Sequence, residues 1–173
     1  MTIATIILAG GVIITYLLVL GAHALRHRSG LSFFYALLGG LTAVMSWVTD
    51  AGAAVSVGGV TFVVGSTVFY TSLLLGVFVL YVFDGPRAAR TAIFTVAVIS
   101  SLAPVLAVLL HLQARLAGVP ALAGVPVPSL RINAASVATT LVDLVFLAVA
   151  WEFLGKPRMH LWVTLGGRNL SIF

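Results

Sequence analysis

Residues 2–22, TIATIILAGGVIITYLLVLGA, contain no charged side chain and are followed by a basic group that begins at His23. A helix of about 20 apolar residues crosses a hydrocarbon core of about 30 Å, so this stretch predicts a membrane-spanning helix. A secretory signal peptide starts with a basic region, and no basic residue precedes this stretch. We therefore interpret it as a retained helix that sets the architecture of the chain.

The composition of the whole chain supports a membrane protein. Of the 173 residues, 61% are hydrophobic and 8% are charged, and the mean hydropathy is +1.21. A water-soluble domain is about 45–50% apolar and about 25% charged, because it must keep a solvated surface. These values exclude a soluble domain. The absence of cysteine excludes a disulfide scaffold, a thiolate metal site and a cysteine nucleophile.

Four further apolar stretches follow, separated by glycine, proline and charged residues that predict turns. They cover residues 31–49, 60–83, 91–112 and 133–154, and Pro104 predicts a kink in the fourth. Residues 113–131 contain three prolines and are predicted to form a loop. The fold class is therefore all-α, a polytopic transmembrane helix bundle with five spanning helices and a short C-terminal segment. Residues 1–158 are expected to form the module, and residues 159–173 an interfacial tail or a truncated sixth helix.

The basic residues predict the orientation, because cytoplasmic loops of membrane proteins carry the excess of Lys and Arg. One set of loops and the tail contains seven of these residues, and the other set contains only Arg115 and Arg131. The bias places the N-terminus outside and the C-terminus in the cytoplasm of a multi-pass protein of the inner (plasma) membrane. Since the basic residues are scattered among separate loops, no nucleic-acid partner is expected.

Polar residues inside the fifth stretch are the strongest candidates for a functional site. At about 100° per residue, four of them fall within an arc of roughly 80° on one helix face. A carboxylate at a helix centre costs roughly 2.5–3.5 kcal/mol in a membrane and needs a partner or a cavity. The stripe is interpreted either as one wall of a ligand or ion cavity or as hydrogen bonding between helices, and Asp143 itself favours the cavity. The four residues are Asn133, Ser136, Thr140 and Asp143.

A second group of polar and aromatic residues is predicted near the outer ends of the second and third helices. Trp47, Asp50 and Tyr70 are expected at one depth, where they could hold a flat heterocycle by stacking and hydrogen bonds. The alternative is an interfacial aromatic belt with a solvated carboxylate, which these residues favour when they are considered alone. No phosphate-binding loop, HExxH or GxSxG motif is present, so the chain is predicted to be no enzyme, without a cofactor or a metal.

The loop between the third and fourth stretches carries a family resemblance. Its sequence YVFDGPRAAR, residues 81–90, resembles the corresponding loop of the vitamin-uptake-transporter-like family, which includes the queuosine precursor transporters. Gly39-Gly40, Trp47, Asp50 and Gly58-Gly59 are similar to the branch of that family that serves as membrane sensor input in bacterial signalling proteins. The motif residues of the loop are Tyr81, Asp84, Gly85, Arg87 and Arg90.

The resemblance covers most of residues 1–158 and implies a helical module that binds a small molecule. In the family a Gln commonly stands three residues before the aspartate of the fifth helix, and here this position is Thr140. The first hypothesis is a sensory input module that binds a small heterocyclic ligand, with Asp143 accepting hydrogen bonds and Trp47 stacking. The alternatives are a transporter with the same cavity and a structural subunit without a ligand. The expected partners are the lipid bilayer, a cytoplasmic output domain and further copies of the chain in a homo-oligomer.

Overall fold

The computed structural model of the chain describes residues 3–119 and 130–166. Within these residues, five helices are long and apolar enough to cross a membrane, which confirms the predicted all-α bundle. A short helix α2 and a small hairpin are the other regular elements. The elements are α1 (Ile3–Ala24), α2 (Arg26–Ser29), α3 (Ser32–Asp50), β1 (Ala54–Val57), β2 (Val60–Val63), a π-helical segment (Gly65–Tyr70), α4 (Thr71–Phe83), α5 (Pro86–Leu116) and α6 (Leu130–Gly166).

The hairpin corrects the predicted start of the third helix at residue 60. Strands β1 and β2 pair in antiparallel register, with Ala54 opposite Val63 and Val57 opposite Val60. Gly58 and Gly59 form the turn, both at positive φ, a conformation that a two-residue hairpin turn requires and glycine adopts without strain. The strands are rich in valine, which suits an extended chain as well as an apolar helix. Hydropathy therefore did not separate the hairpin from the helix that follows it.

The π-helical segment continues directly into α4 and packs closely against the end of α3. Gly65 makes this approach possible, because a Cβ atom there would overlap Thr49 Oγ1 and would lie 3.4 Å from the Met45 carbonyl oxygen. π-helical turns are rare and occur mostly within α-helices at functional sites. Here the segment ends at Tyr70, which was singled out from the sequence.

The long helices form an arc around a central element. The π-helical segment and α4 occupy the centre, and α1, α3, α5 and α6 follow one another around them. α1 and α6 are the two ends of the arc and have at most marginal contact with each other within the described residues. We call the side of the bundle between α1 and α6 the open side. α6 packs closely against α5 and only loosely against α4.

The core lies where α3, α4 and α5 meet. Phe34 and Leu38 from α3 and Leu73 and Leu80 from α4 are fully buried, and Leu144 brings α6 into the same cluster. By contrast, large apolar side chains cover the outer faces of α1, α5 and α6. A protein surface covered by apolar side chains is the one that contact with lipid requires.

Two helices extend beyond the stretches predicted from hydropathy. α5 begins at Pro86, since proline suits the first helical turn, and continues to Leu116. α6 continues to Gly166, past residue 154. Most of the predicted proline-rich loop, residues 120–129, and the end of the predicted tail, residues 167–173, lie outside the described residues. The module boundary at residue 158 stays a prediction.

Candidate functional site

The π-helical segment and α6 contact each other through a pair of polar residues. The Tyr70 hydroxyl, at the end of the π-helical segment, donates a hydrogen bond to Asp143 Oδ2 on α6, 73 residues away in the chain. Asn133, Thr140 and Leu144 are buried and define the inner face of α6. At about 100° per residue, Asp143 lies at the edge of that face and is exposed on the helix. The pair therefore bridges the gap between the centre of the bundle and α6.

A second polar contact joins α6 to α3 near the hairpin. Asn133 Nδ2 donates to Asp50 Oδ1 at 2.8 Å, and Asn133 Oδ1 accepts from Ser46 Oγ at 3.4 Å. Ser46 was missed in the sequence analysis, although it precedes Asp50 by four residues and therefore shares its helix face. This cluster anchors the start of α6 on the end of α3.

The two contacts correct the expectation that Tyr70 and Asp50 lie at one depth. Their partners on α6, Asp143 and Asn133, are ten residues apart, which is about 15 Å along a helix. Trp47 is 54% exposed on α3 and takes no part in the described ring contacts. The predicted group is therefore divided between two levels of the bundle.

The other stripe residues line the inner side of the same helix. Thr140 is buried and Ser136 is half-buried, so three of the four predicted residues face the interior and the fourth, Asp143, lies at its margin. Of the two properties that the sequence left open, the structure shows hydrogen bonding between helices, which both Asn133 and Asp143 provide. That these residues bind a ligand stays a prediction.

The loop motif forms a cluster of charged and aromatic groups at the other end of the bundle, which we call the basic end. Asp84 Oδ2 lies 2.6 Å from His23 Nε2, and Asp84 Oδ1 lies 3.5 Å from Arg26 Nε. The His23 ring is buried and packs edge-on against Phe34, with ring centroids 5.6 Å apart. The Arg26 guanidinium lies 5.7 Å from the centroid of Phe83. The cluster ties the end of α1 to the turn between α4 and α5.

The contacts of His23 join its ring to both charged groups of the cluster. Its Nε2 faces Asp84 Oδ2. Arg26 Nη1 lies 2.7 Å from Nε2 and 2.9 Å from Nδ1. Sequence spacing does not connect His23 with Asp84, because 61 residues separate them and no local pattern marks the pair.

The remaining motif residues shape the start of α5. Gly85 has a φ of 86°, a left-handed conformation that favours glycine. Tyr81 is half-buried and packs against the core, while Arg87 is exposed. Arg90 Nη2 lies 2.7 Å from Glu152 Oε1, an exposed ion pair that marks the antiparallel register of α5 and α6.

No group of three His, Cys, Asp or Glu residues suitable for a metal ion occurs in the part of the chain that the structure describes. A shallow groove of about 420 Å³ runs along the outer face of α5, and none of the predicted site residues lines it. Its lining is mostly apolar, as expected of a lipid-facing surface. The residues are Ala97, Val98, Ser101, Leu102 and Val105.

The fold and its contacts define a helical membrane module in which hydroxyl, amide and carboxyl groups form hydrogen bonds between the helices. Comparison with family models gives a match to the vitamin uptake-like sensor family over residues 16–166. The chain therefore belongs to the vitamin uptake-like sensor family, which confirms the resemblance that the loop and glycine motifs indicated. Comparisons with curated proteins and with solved structures give no match.

Proposed function

We propose that the protein is a sensory input module that binds a small heterocyclic molecule at Tyr70 and Asp143, from the open side of the bundle. The observation that carries this proposal is the Tyr70–Asp143 hydrogen bond, which joins the central π-helical segment to the edge helix α6. The sensor family of the chain supports it. Sensing requires no catalytic group, so the proposed module is not an enzyme.

Asp143 has the chemistry of a recognition residue. A carboxylate within a membrane helix needs hydrogen-bond donors, and in a low-dielectric environment such bonds are strong. One phenol hydroxyl leaves part of this need unmet, so a ligand with N–H donors satisfies the rest of it beside Tyr70. The exposure of Asp143 at the margin of the inner face gives the ligand a lateral route. Thr140 and Ser136 extend the polar wall toward Asn133.

The signal is proposed to leave through α6. This helix packs closely on α5 and loosely on α4, so a ligand between α4 and α6 acts on the less constrained of its two interfaces. A ligand shifts the equilibrium only if it binds one helix arrangement more tightly than the other. The excess of Lys and Arg in the loops of the basic end supports a cytoplasmic position for that end, where an output domain would receive the movement of α6.

The experiment is a binding screen on the protein in lipid nanodiscs. Thermal unfolding is measured with a panel of heterocyclic vitamins and nucleobases, and small molecules that co-purify are identified by mass spectrometry. A ligand of this site should raise the Tm of the wild type and of the Tyr16→Phe control. It should not raise the Tm of Asp143→Asn. Tyr70→Phe should weaken it, since the ligand loses a neighbouring hydroxyl.

Different outcomes separate the proposal from its alternatives. Equal binding to the wild type and to Asp143→Asn would show that the ligand binds at another site. Accumulation of the ligand by cells that express this chain would indicate transport. If nothing binds or co-purifies and Asp143→Asn impairs only assembly, the chain is a structural subunit.

A further inference from the structure

Ser100 differs from the other hydroxyl residues of α5. The hydroxyls of Thr91, Thr95 and Ser101 each donate to the carbonyl oxygen four residues earlier in the helix. Ser100 is buried, with 5% of its surface exposed, and its hydroxyl has no hydrogen-bond partner within the described residues. Buried polar groups are rarely left unpaired, so this one calls for an explanation.

The backbone of the same residue has a second unmet group. Pro104 lies four residues further along α5 and has no N–H, so the Ser100 carbonyl cannot receive its helical hydrogen bond. Pro104 is buried too and shares the inner face of α5 with Ser100. In a membrane interior no bulk water is present to satisfy such groups, and they are paired inside the protein. Ser100 therefore has a buried hydroxyl without a partner among the described residues and a carbonyl without its usual helical donor.

The depth of Ser100 matches that of Asp143. The Arg90–Glu152 ion pair marks the register of α5 against α6 at the basic end. Ser100 lies ten residues from Arg90, and Val142, the neighbour of Asp143, lies ten residues from Glu152 in the opposite direction. Both distances are about 15 Å along their helices. Ser100 and Asp143 therefore lie at about the same depth in the bundle. Ser100 is on the inner face of α5, and Asp143 is beside the open side.

We propose that Ser100 is a second polar contact of the ligand site. Its carbonyl and hydroxyl bind water when the protein is free and a hydrogen-bond donor of the ligand when the site is filled. The ligand then carries two separated donor groups, one for Asp143 and one for Ser100. The ligand part of this inference rests on the proposed function, whereas the hydrated subsite does not.

The chain contains no cysteine, so accessibility can be tested with single substitutions. Ser100→Cys and Ser101→Cys are treated in nanodiscs with 2-aminoethyl and 2-sulfonatoethyl methanethiosulfonate, which react with hydrated thiols. Ser101 is the matched control, because it lies next to Ser100 but lines the apolar outer groove. Ser29→Cys, exposed in α2, shows full labelling. We expect Ser100→Cys to react at least about tenfold faster than Ser101→Cys, since a thiol in lipid does not form the reactive thiolate.

If Ser100→Cys and Ser101→Cys are equally unreactive, the inference is overturned. Ser100→Ala gives a second measurement, because it removes one of the two proposed contacts and should weaken the rise in Tm that the ligand causes, whereas Ser101→Ala should not. An equal rise in Tm for the two variants would also overturn the ligand part of the inference. An inert Ser100→Cys in a protein that binds ligand leaves the proposed function intact. A reactive Ser100→Cys in a protein that binds nothing overturns the proposed function and retains the hydrated subsite.

Discussion

At the scale of single residues, the molecule is organised by polar side chains that find partners far away in the chain. Asp143 depends on the Tyr70 hydroxyl, Asp50 on Asn133, and Asp84 on His23. Each carboxylate thereby gains a donor in a bundle that has few. The pair of Tyr70 and Asp143 differs from the others because it is accessible from the open side, and this access makes it a candidate for recognition.

Replacement of one partner of that pair should be more harmful than replacement of both. Tyr70→Phe leaves the Asp143 carboxylate without its donor and is expected to lower the free energy of unfolding by about 1–3 kcal/mol. Tyr70→Phe combined with Asp143→Leu should recover most of this loss, because no polar group is then left unpaired. Thermal unfolding in nanodiscs measures both effects, with Tyr16→Phe as the control. A double variant less stable than Tyr70→Phe would contradict the pairing.

At the scale of elements, the position of Tyr70 depends on the close packing of the π-helical segment against α3. Gly65 meets Thr49 and the Met45 carbonyl there, and Thr49 Oγ1 is itself held by a 2.7 Å hydrogen bond to that carbonyl. The Thr49 side chain therefore cannot easily rotate away from Gly65. Gly65 therefore links the packing of the π-helical segment against α3 to the position of Tyr70 in the candidate site.

A methyl group at residue 65 should disturb this packing. Gly65→Ala is expected to cost about 1–3 kcal/mol, which is typical of overpacking, and to weaken ligand binding by shifting Tyr70. Thr49→Ala in addition should restore part of the stability, since it removes the overlapping hydroxyl. Gly40→Ala is the matched control, because a Cβ atom there has no neighbour within 4 Å. Equal Tm values for Gly65→Ala and Gly40→Ala would refute the close approach.

The cluster at the basic end is a second link between elements, and its strength can be measured. In a double-mutant cycle, His23→Ala and Asp84→Asn are expected to show a coupling of roughly 0.5–3 kcal/mol, because the two groups are in contact and largely buried. The matched cycle with Arg90→Gln and Glu152→Gln should show a coupling of about 0–1 kcal/mol, since that pair is exposed. Additive effects of the His23 and Asp84 substitutions would show that the contact contributes nothing to stability.

At the scale of the whole molecule, the arc of helices around α4 separates a tightly packed part from a loosely packed part. α3 and α5 pack closely against each other and against the centre, whereas α6 is held by α5, by the Asn133 cluster and by the Tyr70–Asp143 pair. A ligand at that pair changes one of the attachments of α6. The proposed signal is therefore a movement of α6 relative to α1, with α3 and α5 nearly unchanged.

Distances between spin labels test this movement. Labels at Leu17→Cys on α1 and Phe146→Cys on α6 occupy exposed positions and report across the open side. With ligand, their distance distribution should shift or narrow, because one helix arrangement is selected. Labels at Phe33→Cys on α3 and Phe94→Cys on α5, which are exposed too, should keep their distribution. A ligand that changes neither pair would exclude α6 as the path of the signal.

Much of the architecture follows from local sequence patterns. Apolar runs of about 20 residues specify the five helices, and the glycines and prolines specify most of their ends, since these effects act within a few residues. The hairpin was missed because valine-rich segments suit both strands and apolar helices. The stripe on α6 was found because its spacing is local, and the structure places Asp143 at the edge of the inner face because packing, not periodicity, sets the rotation of a helix.

The sequence by itself determined that this chain is a helical membrane protein, that α6 carries a polar stripe, and that the loop and glycine motifs resemble a vitamin-uptake-like family and its sensor branch. Only the tertiary structure decided the partners: Tyr70 pairs with Asp143 rather than lying level with Asp50, and His23 lies against Asp84. The physical reason is range. Hydropathy and helical periodicity act over one or two turns, whereas contacts between residues 61 to 83 positions apart exist only once the helices have chosen their neighbours.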